Sequence, residues 1–215
     1  MKQLEVGRTE LEMEELGREF RKIIGSVIVL ADSLPTLPLA RLLGIPIEDV
    51  DGSLHFLHSV LNIPSDPDAP VRLLHLSFRE FLVDARKEGK REYWFWVDEK
   101  KAHCMLAARC LELLSAPGCL TDNICQLGSP GTLRTEISPL TINNCLPPDI
   151  RYACRYWVHH LEHSGERICD KDAVDAFLTK HLLHWLEALS LTGNVSDSIG
   201  FIGVLFSLVD VGNRL

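Results

Sequence analysis

The sequence predicts a mainly α-helical protein with one short β-hairpin in its N-terminal half. Apolar residues recur at spacings of three and four through most of the chain, the period of an amphipathic helix. Helix breakers and C-terminal glycines, among them Pro35, Gly44, Pro117 and Gly165, punctuate those runs. Only residues 59–77 read differently: SVLNI and VRLLHLS are β-prone, and SDPDAP between them is turn chemistry.

Taken in order, residues 10 to about 30 form a helix with Leu16, Phe20, Ile23, Ile24 and Val27 on one stripe. Pro35 and Pro38 interrupt, and TLPLARLLGIP supplies a short second helix ending at Gly44, a natural residue just past a helix end. After Pro46, the residues Ile47, Val50, Leu54, Leu57 and Leu61 define a third helix. Three helices followed by a two-stranded ribbon is the order of a winged-helix domain.

The ribbon leads into a helix start. Ser77 stands three residues before Glu80, ahead of Phe81 and Leu82, which is the spacing of a capping box. Removing the Ser77 hydroxyl should then cost about 0.5–2 kcal/mol. On this reading the strand ends near Leu76 and the helix begins near Phe78. His75 sits at the junction, on the strand face of Val71 and Leu73.

Beyond Gly89 the pattern is helical throughout. Asp98 caps a helix striped by Ala102, Leu106, Cys110, Leu113 and Leu114, which Pro117 and Gly118 stop. Residues 119–147 mix short turns with a loop. Pro148 opens a helix with Ile150, Ala153, Cys154, Trp157 and Leu161 on its apolar side. Asp172 precedes another, with Val174, Phe177, Leu178, His181, Trp185 and Leu189. A final apolar helix runs from about Ser196 to Asp210. The expected organisation is an N-terminal helical extension over 1–18, a winged-helix-like domain over 19–97 and a helical domain over 98–215.

A net charge of −8 over 215 residues opposes a general nucleic-acid binder, which needs clustered Lys and Arg for phosphates. The third helix, where a winged helix would read DNA, carries Glu48, Asp49 and Asp51 with no basic residue. The N-terminus lacks an apolar signal core. The most apolar stretch, IGFIGVLFSLV, is about half of the ~20 residues a span requires. Seven scattered cysteines without a CxxC pair fit reduced thiols. A soluble, cytoplasmic chain is expected, with no membrane or nucleic-acid partner.

Chemistry-bearing motifs are few. No GxxxxGK[ST] or GxGxxG cradles a phosphate, and no GxSxG elbow or catalytic cysteine context is present. Cys110 and Cys154 fall on core stripes. HHLEH is not HExxH: His159 and His163, four apart, could grip a stray metal, but the helical wheel puts them on the polar side, so a solvated face is expected and no metal site. His55 and His58 read the same way, whereas His181 reads as a packed histidine with a satisfied partner. The chain is expected to be no enzyme.

Several stretches together resemble a known family. GREFRKIIGSVIVLADSLPTLPLARLLGIP, LHFLHSVLNIPSDPDAPVRLLHLSFREFLVD and WFWVDEKKAHCMLAARCLELL are similar to fungal NACHT–WD-repeat proteins. These are STAND-class signalling NTPases related to NOD-like receptors and vegetative incompatibility proteins. NICQLGSPGTLRTEI, LPPDIRYACRYWVHHLEHS and KHLLHWLEALSLTGNVSDSI continue the likeness, from about residue 18 to 210. The part resembled follows the ATPase core: a winged-helix domain and the helical domain after it.

In such receptors a histidine in an HxSFxEF-like context contacts the phosphate of bound ADP and holds the inactive state. HLSFREF places that role on His75, framed by Ser77, Phe78, Glu80 and Phe81. The resemblance implies a non-catalytic regulatory module acting on a NACHT nucleotide-binding domain. ADP or ATP would be held by that domain, missing upstream or on another chain, and not by this chain alone. Walker motifs and WD repeats are absent, so the chain is expected either to be a fragment or truncated product or to act on another molecule. The alternatives are a free-standing helical adaptor or decoy and a non-functional truncated paralogue.

Overall fold

A computed structural model describes residues 10–129 and 131–209 and is mainly helical. The first nine residues of the expected extension, and the expected end of the last helix at Asp210, lie outside the described residues. The chain divides into two compact units, Met1–Ala40 with Ile45–Ala102 and Arg41–Gly44 with His103–Leu215.

In the first unit, α1 (Glu10–Val29) buries Phe20, Ile23, Ile24 and Val27, the stripe expected of it. Two glycines let it come close to the Trp94–Val97 segment. A Cβ on Gly17 would meet the Trp94 carbonyl oxygen at 3.3 Å, and one on Gly25 the Val97 Cγ1 at 3.2 Å. α2 (Thr36–Leu43) begins here, and α3 (Ile47–His55) buries Val50 and Leu54.

The ribbon is shorter than the sequence predicts. β1 (Leu61–Asn62) and β2 (Arg72–Leu73) pair antiparallel as Leu61 with Leu73 and Asn62 with Arg72. The β-prone residues before Leu61 are drawn into helical turns, the Val60 and Leu61 amides both donating to the Leu57 carbonyl. Val71 is likewise diverted, its amide donating to Leu34. Three helices and a ribbon occur in the predicted order, but two-residue strands do not by themselves make a winged-helix domain. α4 (Leu76–Val83) follows, and α5 (Glu99–Ser115) is capped by the Asp98 carboxylate, which accepts from Lys101 N at 3.1 Å.

The second unit is built on α5 from His103 onward, α6 (Pro139–Cys145), α7 (Pro148–Ser164), α8 (Ala173–Thr192) and α9 (Asp197–Leu208). α7 packs against both α8 and α9. Trp157 and Trp185, each with no exposed surface, meet edge to face at 5.2 Å, and Phe177 packs on Trp157 at 5.5 Å. The Trp185 indole N–H donates to the Cys154 carbonyl at 2.7 Å, so the polar edge of that ring is satisfied inside the core. Left-handed Gly165 and Gly193 close α7 and α8, and the Asp172 carboxylate caps α8 by accepting from Asp175 N at 2.8 Å.

Gly44 has a stricter requirement. Its φ is +60°, and a Cβ there would overlap the Arg109 guanidinium, which pairs with Glu112 and donates to the Leu42 carbonyl at 3.4 Å. Gly44→Ala combines left-handed backbone strain with a displaced arginine. It is expected to lose about 1–3 kcal/mol in urea unfolding; an unchanged midpoint would contradict that account.

Candidate functional site

The junction between β2 and α4 is where the sequence places function. The structure corrects its capping. α4 starts at Leu76, and its N-cap is His75 rather than Ser77. His75 is extended (φ −150°, ψ 136°), and its Nδ1 accepts from Ser77 N at 3.0 Å and from the Ser77 hydroxyl at 2.7 Å. Ser77 is therefore the second helical residue. Glu80 lies too far along the helix to reach back to the cap, and Phe78 occupies the position a capping-box carboxylate needs.

That cap decides the imidazole's tautomer. A backbone N–H can only donate, so Nδ1 carries the lone pair and Nε2 carries the proton of the neutral ring. His75 is exposed and does not share the burial of Val71. A fixed donor thus stands at the first turn of a helix, where unpaired backbone N–H groups favour an anion.

The helix beneath it is pinned. Leu82 is wholly buried, and its carbonyl accepts from Val97 N at 3.0 Å. Arg79 donates to the Ile28 carbonyl at 3.2 Å and pairs with Glu99. Phe81 stacks on Phe95 at 5.2 Å and takes the Lys87 ammonium over its face at 3.4 Å. Leu74 and Leu76, beside His75 in sequence, are 56% and 70% exposed, so the donor is set among uncovered apolar side chains.

A second cluster forms in the other unit. His160 on α7 has no exposed surface, and its Nδ1 lies 2.8 Å from Nδ1 of His103 on α5. Its Nε2 is 2.7 Å from the Tyr152 hydroxyl. Half-buried His159 and exposed His163 complete the group, with ring centres 5.8 and 5.2 Å from His103. Burial first, and then the surrounding imidazoles, holds His160 down to about 3; burial and His163 lower His159. His160 is a neutral imidazole at ordinary pH, with both nitrogens engaged.

The polar-face reading of HHLEH therefore holds for exposed His163 and only in part for His159, which is half-buried, and both rings lie beside His103. Sequence reasoning missed His103 and His160. The signal available was a histidine next to Ala102 on the stripe of α5, but nothing local says that α7 will face it. His181 departs from expectation in part. It is packed as expected, buried and stacked on Phe177 at 5.7 Å, but neither ring nitrogen has the hydrogen-bond partner expected of it.

Over 104 residues, 45% of this chain, the sequence is 33% identical to the vegetative incompatibility protein HET-E-1 of Podospora anserina. The relation is distant. The chain spans 7% of that relative's length. No family model matches, and no solved structure matches. Among the described residues, no helix is long and apolar enough to cross a membrane.

Proposed function

We propose that this chain is a non-catalytic regulatory module of a NACHT-type signalling NTPase. It would hold a neighbouring nucleotide-binding domain in its ADP-bound inactive state, with residues 19–97 acting as the winged-helix part. The observation that carries this reading is the exposed His75, its tautomer fixed by Ser77 so that Nε2–H is the donor, at the start of a pinned helix. The likeness to an incompatibility protein supports the regulatory context. A donor that meets a diphosphate in only one domain arrangement gives that arrangement a differential affinity, which is what a nucleotide switch requires. ADP is then bound by the partner domain in the cytoplasm, and this chain performs no chemistry.

The test uses the protein joined to its nucleotide-binding domain. Alanine at His75 would remove both the cap and the donor, so His75→Asp is the sharper variant. Aspartate is a preferred N-cap and keeps the helix start, while its charge repels phosphate. Weaker ADP retention and spontaneous activation are expected at unchanged thermal stability. Unaltered nucleotide occupancy would sink the reading.

A free-standing protein-interaction adaptor is the second reading, favoured by uncovered apolar side chains in the second unit. Leu183 on α8 and Ile199 and Phe206 on α9 are 77%, 79% and 75% exposed. Such an adaptor would keep its partner when His75 is changed.

A further inference from the structure

We propose that His103, His159 and His160 form a binding site for a divalent transition-metal ion of the zinc type, joining α5 to α7 within the second unit. The three residues can each offer one ring nitrogen, and those nitrogens all lie within 4.8 Å of one another. Two imidazoles about 2.0–2.1 Å from one tetrahedral ion sit roughly 3.3 Å apart. The His103–His160 pair, at 2.8 Å, needs to open by about half an ångström, and His159 needs a small side-chain rotation to close.

The surroundings favour an ion over a plain packed cluster. An all-imidazole ligand set suits zinc, copper or nickel and is poor for calcium or magnesium, which take oxygen ligands. Tyr152 supplies the outer partner that metal-binding histidines usually have. With the tyrosine hydroxyl on Nε2, the His160 ring is oriented and Nδ1 is directed at the ion. His103 and His160 are both buried, so the site has a dry floor. His159 and His163, whose ring centres are 4.1 Å apart, stand at its exposed side and leave an entry path.

No proton need be lost on binding. In the metal-free chain one Nδ1 donates to the other. With the ion present both lone pairs turn to it, and the shared proton moves to the Nε2 of the ring that carried it, so each ring stays neutral. This assignment is independent of the nucleotide-switch reading and would survive its failure.

The test is zinc titration of the chelator-treated full chain, free of any histidine tag, by calorimetry and thermal unfolding. One ion per chain is expected. Because the ion binds the folded chain, a hundredfold excess over Kd should raise Tm by about 5–10 °C. Variants of His103 and His160 put the fold itself at risk, so the deciding one is His159→Gln at a half-exposed position. It should weaken zinc binding at least tenfold without changing the circular dichroism spectrum. Tyr152→Phe should weaken it about 10–100-fold. His55→Gln, in the other unit, should leave it unchanged. Zinc affinity that survives His159→Gln, or that falls equally with His55→Gln, would overturn the site in favour of adventitious surface histidines.

Discussion

Trp157→Ala is expected to cost about 3–5 kcal/mol, among the largest effects of single substitutions in the second unit. Trp157 has no exposed surface and packs edge to face with both Phe177 and Trp185. Truncation removes the transfer energy of the largest side chain and leaves a cavity between rigid aromatic faces that cannot collapse. The indole N–H of Trp157 makes no hydrogen bond, so no polar partner is orphaned and the loss is one of packing. Trp157→Phe keeps most of the volume and should recover more than half of the loss. Urea unfolding followed by the remaining tryptophans would check both. Equal loss in the two variants would mean that contacts to the indole edge, and not the cavity, set the cost.

Acidification is the second large effect, and its sign follows from His160. The folded chain holds this imidazole down to about 3, against an ordinary value near 6.5 when unfolded. Between those values the unfolded chain binds a proton that the folded chain refuses. Stability from this group is therefore complete above about pH 6.5 and declines as pH falls toward 3. The slope approaches 1.4 kcal/mol per pH unit, so lowering pH from 6.5 to 4.5 in chelator-containing buffer should cost about 2 kcal/mol through His160 alone. Carboxylates add losses of their own in this range, so the measurement is a difference. His160→Gln should unfold with about one proton fewer taken up across the same window. An identical pH slope in the variant would show that His160 does not govern acid sensitivity. Charging this ring makes both its nitrogens donors, so the Tyr152 hydroxyl oxygen and His103 Nδ1 must then both accept.

Most of the helical architecture was legible because its signals are local. The stripes of α1, α5, α7 and α8 are periodic over three or more turns, and their ends carry residues with single structural uses. Asp98 and Asp172 cap, Pro148 starts a helix, and Gly44 and Gly165 stop one. The hairpin was legible in place but not in length. β-propensity does not reveal that the Val60 and Leu61 amides are spent on Leu57 and the Val71 amide on Leu34.

At the β2–α4 junction the sequence pattern assigned the cap to Ser77, and the structure gives it to His75. Ser-x-x-Glu spacing is a common N-terminal signature, yet the imidazole two residues earlier accepts from the Ser77 amide, and His75 took the cap. That exchange, rather than the motif, is what fixes which ring nitrogen carries the proton.

The amino-acid sequence by itself therefore determined a chain of amphipathic helices, an acidic surface ill suited to phosphate-backbone binding, and His75 as a residue set apart from its neighbours. Only the tertiary structure decided that His75 is exposed and tautomerically locked, and that His103 meets His160 across 57 residues of chain. Periodicity reports which face of a helix is apolar; it does not report which other helix that face will meet, and a cluster assembled from two helices exists only once they have packed.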